Sequence, residues 1–138
     1  LEMSGLNEHL AWLTDGLKTP IHCEGRNLSR SQVLRILLAR NIVQRPHLLV
    51  VDQSFYTLGF ERRVETVHRL FDRSNRWTIL NLISESESLA LSDRILLMVD
   101  GKVVDVGSPL QATESTEGEF ARHFPRLFEV LRRRLGSA

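Results

Sequence analysis

The apolar residues of this chain fall in short blocks whose spacing switches between helical and strand-like. Leu6, Leu10, Trp12 and Leu13 predict a short helix, which Asp15 and Gly16 stop. An irregular stretch through Pro20 and Gly25 follows. From Ser29 to Gln44 the set Val33, Leu34, Ile36, Leu37, Leu38, Ile42 and Val43 recurs at helical spacing over a wide face, so this helix is expected to be largely buried. Pro46 ends it, because proline lacks an amide hydrogen and disfavours helical geometry in the residue before it. Leu48-Leu49-Val50-Val51 is too short for a helix and apolar throughout, the pattern of a parallel strand covered on both faces. Residues 60–71 predict a helix with Val64, Val67, Leu70 and Phe71 on one side, and residues 77–83 the next strand. Residues 95–99 and 102–106 flank Asp100-Gly101, a dipeptide suited to a two-residue hairpin turn. Residues 117–135 read as helical with a break near Pro125.

Helices and short buried strands in alternation define an α/β class. In open α/β sheets, ligands bind in the crevice beyond the carboxyl ends of the strands. Asp52-Gln53 follows the first strand and Ser84-Glu85 the second, so parallel neighbouring strands would turn both polar pairs toward one crevice. That crevice is the default binding site.

Composition narrows the picture only a little. The 138 residues are 42% apolar and 25% charged, as expected for one globular unit or part of one. Lys and Arg total 18 against 17 Asp and Glu, and a net charge of +1 gives no argument for a polyanion such as nucleic acid as partner. Cys23 is the single cysteine, so no internal disulfide forms, and neither it nor the scattered histidines at 9, 22, 47, 68 and 123 shows metal-ligand spacing. No apolar run approaches the roughly 18 residues that span a bilayer. Arg132-Arg133-Arg134 reads as a solvated helix end, and Trp12 and Trp77 as core residues.

Leu28-Ser29-Arg30-Ser31-Gln32 resembles the ABC-ATPase signature Leu-Ser-Gly-Gly-Gln with both glycines replaced. After it come an apolar helix ending Leu37-Leu38-Ala39-Arg40, then Pro46, then the strand closed by Asp52-Gln53, which resembles a Walker B strand. Ser92-Asp93-Arg94-Ile95-Leu96 and Asp100-Gly101-Lys102-Val103-Val104-Asp105-Val106-Gly107 resemble the family's terminal hairpin, Ala-Asp-Arg-Ile followed by Gly-x-Ile-Val-x-x-Gly. In order and spacing, residues 6–111 are similar to the C-terminal half of an ABC transporter nucleotide-binding domain. Thr14 to Ile21, leading to Glu24-Gly25-Arg26-Asn27, is most similar to exporters with membrane helices fused ahead of that domain. The resemblance implies part of a P-loop ATPase fold: a partial, mostly parallel sheet with flanking helices and a terminal β-hairpin. Within it, residues 1–45 would hold part of the helical subdomain and the signature helix, 46–112 the Walker B half of the core, and 113–138 a C-terminal helical extension.

The resemblance also implies roles. Asp52 matches the aspartate that helps hold magnesium, and Gln53 stands where the family has the glutamate that polarises the attacking water. Ser84 stands at the switch histidine. The family's Ser-Ala-Leu-Asp loop reads Tyr56-Thr57-Leu58-Gly59. Ser29, Arg30, Ser31 and Gln32 would face the ATP held by a partner subunit, where glycines normally let backbone amides approach the γ-phosphate at a helix N-terminus. Arg30 either blocks that approach or replaces it with a charged contact. Ser29-x-x-Gln32 is also a helix-capping box, which explains both residues without any ligand.

A phosphate-cradling Gly-x-x-x-x-Gly-Lys-Ser/Thr loop is missing: of eight glycines only Gly101 precedes a lysine, and Val103 follows it. ATP and magnesium are therefore expected in the complete domain and neither in this chain alone. The implied partners are a second nucleotide-binding domain and a transmembrane domain, fused or separate, at the cytoplasmic face of a membrane. A sheet cut within a domain exposes apolar surface and a strand edge, so self-association is expected too. The function these readings imply is coupling of ATP binding to transport or regulation with weak or no hydrolysis. The alternatives are half of an active ATPase completed by a partner subunit, and a pseudo-ABC interaction domain that binds no nucleotide.

Overall fold

A computed structural model describes residues 4–11, 13–52, 55, 57–82 and 85–136. The chain divides into two compact units, Leu1–Leu82 and Ile83–Ala138.

The first unit is a β-α-β arrangement preceded by two helices. Helix α1 (Asn7–Leu10) is followed by 3₁₀ turns at Gly16–Lys18 and Cys23–Gly25, and then by α2 (Arg30–Val43). At the end of α2 the Arg45 amide donates to the Ile42 carbonyl at 3.0 Å, with Arg45 in the left-handed region at φ 51°, so the chain has turned before Pro46. Strand β1 (Leu48–Val51), helix α3 (Phe60–Phe71) and strand β2 (Thr78–Asn81) then complete the motif. The two strands run parallel, Leu48 opposite Thr78 through Val51 opposite Asn81, as a helical crossover permits. Thr78 N–H to the His47 carbonyl and Leu82 N–H to the Val51 carbonyl, both 2.8 Å, extend the ladder beyond each end.

Helix α3 has the boundaries its hydrophobic pattern predicts, and Thr66, Val67 and Leu70 form its buried stripe. Its C-terminal carbonyls find side-chain donors: Asn75 Nδ2 reaches the Arg69 and Leu70 oxygens at 2.9 and 3.0 Å, and Trp77 Nε1 reaches Leu70 at 3.1 Å. Trp77, expected in the core, is instead half-buried, its indole N–H capping the end of α3. Trp12 lies outside the described residues.

Two expectations about burial are corrected. Strand β1 alternates, with Leu49 and Val51 buried and Leu48 and Val50 each 54% exposed, so one face is covered and the other is not. Only Arg35 and Leu38 are buried on α2, while Leu37 is exposed and Val43 is 82% exposed. A wide apolar face needs cover from more than one side, and the described residues supply one.

The second unit packs helices on a hairpin. It comprises α4 (Ser86–Leu91), β3 (Ile95–Val99), β4 (Lys102–Gly107), α5 (Pro109–Glu114), α6 (Glu119–His123) and α7 (Pro125–Gly136). Strands β3 and β4 pair antiparallel, with an irregularity between Leu97 and Met98. The turn is the predicted one: Asp100 and Gly101 both have positive φ, 49° and 76°, as a type I′ turn requires. Ile95 and Leu97 point inward and join Phe120, Phe128 and Leu131 in the core. Phe120 sits 6.4 Å, centroid to centroid, from Phe128 in a tilted arrangement. The break at Pro125 separates α6 from α7, as expected.

Candidate functional site

The segment that leads into the signature-like residues is tied down by Asn27. Its Oδ1 accepts from the His22 amide at 3.1 Å, and its Nδ2 donates to the Pro20 carbonyl at 3.0 Å. Ser29 is then the N-cap of α2. Its Oγ accepts the Gln32 amide at 3.3 Å, and the Gln32 Oε1 accepts the Ser29 amide at 2.7 Å. The capping box read from the sequence is therefore formed, and the two residues retained from the signature spend their polar groups on each other. Ser31 Oγ lies 3.1 Å from Ser29 Oγ. Arg30 is exposed at the first helical position, and among the described residues no ion pair holds its guanidinium. Its own amide and that of Ser31 belong to the helix's first turn, which has no intrahelical acceptor.

The same device recurs at Ser108, where Gln111 N–H donates to Ser108 Oγ at 3.2 Å and Ser108 N–H to Gln111 Oε1 at 2.9 Å. A Ser-x-x-Gln box thus starts two helices of this chain, and only one of them stands at a signature position.

Asp52 follows β1 at the carboxyl end of the parallel pair and is exposed, where the crevice argument places it. The condition of that argument, parallel neighbouring strands, is met. Gln53 and Ser84 lie outside the described residues. Beyond Asp52, Phe55 and Leu58 are buried anchors, 3% and 4% exposed, and the Leu58 amide donates to the Phe55 carbonyl at 3.0 Å. Gly59 is the N-cap of α3 and has no side chain to cap with; the space beside its Cα is open. An aspartate would fit there without a clash.

Sequence reasoning missed Arg35. It is 3% exposed on α2, and its Nη1 donates to the Ser4 carbonyl at 3.2 Å. Gly5, at φ +63°, lies so close beneath it that an added Cβ would fall 1.8 Å from Nη1. A buried arginine against a glycine ties the N-terminal turn to the signature-position helix. The signal for it, Arg35 and Leu38 sharing one side of α2, was hidden by the stronger apolar pattern.

Among the described residues, no group of three His, Cys, Asp or Glu could hold a metal ion. Asp52 alone suits a magnesium ion only in the mode where phosphate oxygens and water supply the remaining ligands. The exposed Asp52 carboxylate and the first-turn amides of Arg30 and Ser31 are the groups here whose chemistry suits a magnesium ion and a phosphate. No helix among the described residues is long and apolar enough to cross a membrane.

These features define an α/β chain with a parallel strand pair and a helix-packed antiparallel hairpin. Over 90% of its length the chain shares its fold with a bacterial Atm1-family ABC exporter solved with ATP bound, at a TM-score of 0.76 and 23% identity, and covers 22% of that chain. It is 28% identical over 115 residues to the ABC multidrug transporter MDR2 of Trichophyton rubrum, covering 83% of this chain and 8% of that protein. It is 23% identical over 120 residues to the leukotoxin export ATP-binding protein LtxB of Aggregatibacter actinomycetemcomitans, covering 87% of this chain and 17% of that one. No family model matches the chain. The chain is a relative of the ATP-binding proteins of ABC transporters and spans a small part of their length.

Proposed function

We propose that the chain is the C-terminal part of an ABC transporter ATP-binding domain with altered motifs, one that couples ATP binding to transport or regulation and hydrolyses little. Asp52-Gln53 at the end of a parallel strand carries this reading: the carboxylate that would hold magnesium is kept, and the next residue is an amide. A carboxamide cannot take a proton from water, and a positioned general base contributes roughly 10²–10⁴-fold in rate. Gln53 alone therefore makes turnover slow. Magnesium, when bound, would neutralise charge on the phosphates. Asp52 would hold that ion, Arg30 and Ser31 would face the ATP held by a partner subunit, and Ser84 would take the switch position with a side chain too short to reach as an imidazole does. The partners on this reading are a second nucleotide-binding domain and a transmembrane domain, which puts the chain at the cytoplasmic face of a membrane.

Arg30 is the residue whose effect has two signs. In the full-length protein, ATP-dependent dimerisation of the nucleotide-binding domains is expected to strengthen on Arg30→Gly, because removing the side chain reopens the backbone approach. Weaker dimerisation would show that the guanidinium itself contacts phosphate.

A second reading, a pseudo-ABC interaction domain that binds no nucleotide, is favoured by one observation. The Ser29–Gln32 box is duplicated at Ser108–Gln111, so a purely structural origin accounts for both retained signature residues. Titration of ATP into the full-length protein separates the two: saturable, magnesium-dependent binding supports the first reading, and none supports the second.

A further inference from the structure

Helix α4 is six residues long, too short to stand without tertiary support. Internally it is held by Leu89 N–H and Ser88 Oγ on the Glu85 carbonyl, each 3.0 Å, and by Ser92 Oγ on the Ser88 carbonyl at 2.7 Å. Ser88 is fully buried, and Leu89 and Ala90 pack against the core that contains Phe128 and Leu131 of α7. Glu87, in the first turn, is 8% exposed. A carboxylate so covered needs a counter-charge, and Arg134 Nη2 of α7 supplies it by pairing with Glu87 Oε2. The expected solvated helix end is thus engaged: Arg132 lies with its guanidinium 5.8 Å from the Phe128 ring centroid, and Arg134 reaches across to α4. The pair is asymmetric, since the Glu87 side chain is 10% exposed and that of Arg134 44%.

α4 begins at Ser86, two residues after Ser84. We propose that the C-terminal helix α7 is a positioning strut for the switch segment, latched to α4 through the Arg134–Glu87 ion pair, with Arg134 as the accessible half through which the latch is released. This inference rests on the reading of Ser84 as the switch position. Glu87 and Arg134 are positioning residues; they act through α4 and touch no nucleotide. With the latch closed, α4 can rearrange only by carrying the Glu87 charge away from its counter-charge. With it open, α4 loses that charge-assisted tie to α7 and keeps its own hydrogen bonds and the packing of Ser88, Leu89 and Ala90.

The test uses amide hydrogen exchange in the full-length protein. Peptides covering residues 85–92 report α4, and peptides covering 109–114 report α5, which also packs on α7. Arg134→Ala is expected to speed exchange in 85–92 by about tenfold, the loss of one charge-assisted hydrogen bond, and to leave 109–114 unchanged. Arg134→Lys should keep most of the protection. Glu87→Gln, which leaves α7 intact, should reproduce the selective loss. Unchanged exchange in 85–92 for both Arg134→Ala and Glu87→Gln, or an equal rise in 109–114, overturns the proposal. ATP added to the wild type distinguishes the two layers. Protection of 85–92 that ATP increases, and that Arg134→Ala weakens, supports both. Selective loss in the variants with no response to ATP in the wild type upholds the latch and refutes the nucleotide reading on which its switch role rests.

Discussion

Gln32 closes on Ser29: each donates its backbone amide to the other's side-chain oxygen, at 3.3 and 2.7 Å. These are the two polar residues that the chain shares with the ABC signature, and their geometry is that of a helix start. Ser29→Ala is expected to destabilise the chain by about 1 kcal/mol, and Ser29→Asp to preserve most of the stability. Denaturant unfolding measures both, with Ser108→Ala as the matched control at the second box. A Ser29→Ala variant as stable as the wild type would mean that the box contributes nothing to α2.

The hairpin turn gives a second test. Asp100 and Gly101 both lie at positive φ, and at 76° Gly101 is where a Cβ is strained even though the space around it is open. Gly101→Ala should cost about 1 kcal/mol, read from thermal unfolding. No loss would show that the turn relaxes to another type.

The pH dependence of the turn after α3 has a definite sign. The Ser74 side chain and then its amide, which donates to Asp72 Oδ1 at 2.8 Å, hold the Asp72 carboxyl below the ordinary carboxylate value. A lowered folded value means that this contribution to stability is present above the ordinary range and is lost as pH falls through the lowered one. An NMR titration should place the Asp72 midpoint below that of an exposed aspartate, and Ser74→Ala should raise it. An unmoved midpoint in Ser74→Ala would refute the cause.

Much of this architecture was legible in the sequence, for identifiable reasons. Helix α3 was bounded correctly because its buried stripe is narrow and regular, and the hairpin because Asp100-Gly101 fits few other conformations. α4 and α5 went unread, since six residues are too few for a period to show. Yet Ser108-Pro109 with Gln111 is a helix-start signal that would have found α5. The cover over β1 and α2 was misjudged because an all-apolar segment records what a strand can bury, not what is there to bury it. At the site, Asp52 and the Ser29–Gln32 box followed from position and spacing. Arg35 against Gly5, and Glu87 against Arg134, join residues 30 and 47 positions apart, and such pairs leave no mark in local pattern.

The uncovered sheet face has a consequence for the isolated chain. Leu48 and Val50 of β1, with Leu80 of β2 and Leu82 just beyond it, are all exposed on a two-stranded parallel sheet, an arrangement that is normally buried. The chain alone should associate with itself, and light scattering at high concentration is expected to show mass above the monomer. A monodisperse monomer would contradict this.

The central claim is that Gln53 holds hydrolysis down in a domain that otherwise keeps its place in a transporter. The direct measurement is the ATPase rate of the reconstituted full-length protein, wild type against Gln53→Glu. A wild-type rate far below the roughly 10 s⁻¹ of an ordinary enzyme, rising on the order of 10²-fold or more with the glutamate, is the predicted result. Wild-type turnover already in the ordinary range, unchanged by Gln53→Glu, would contradict it.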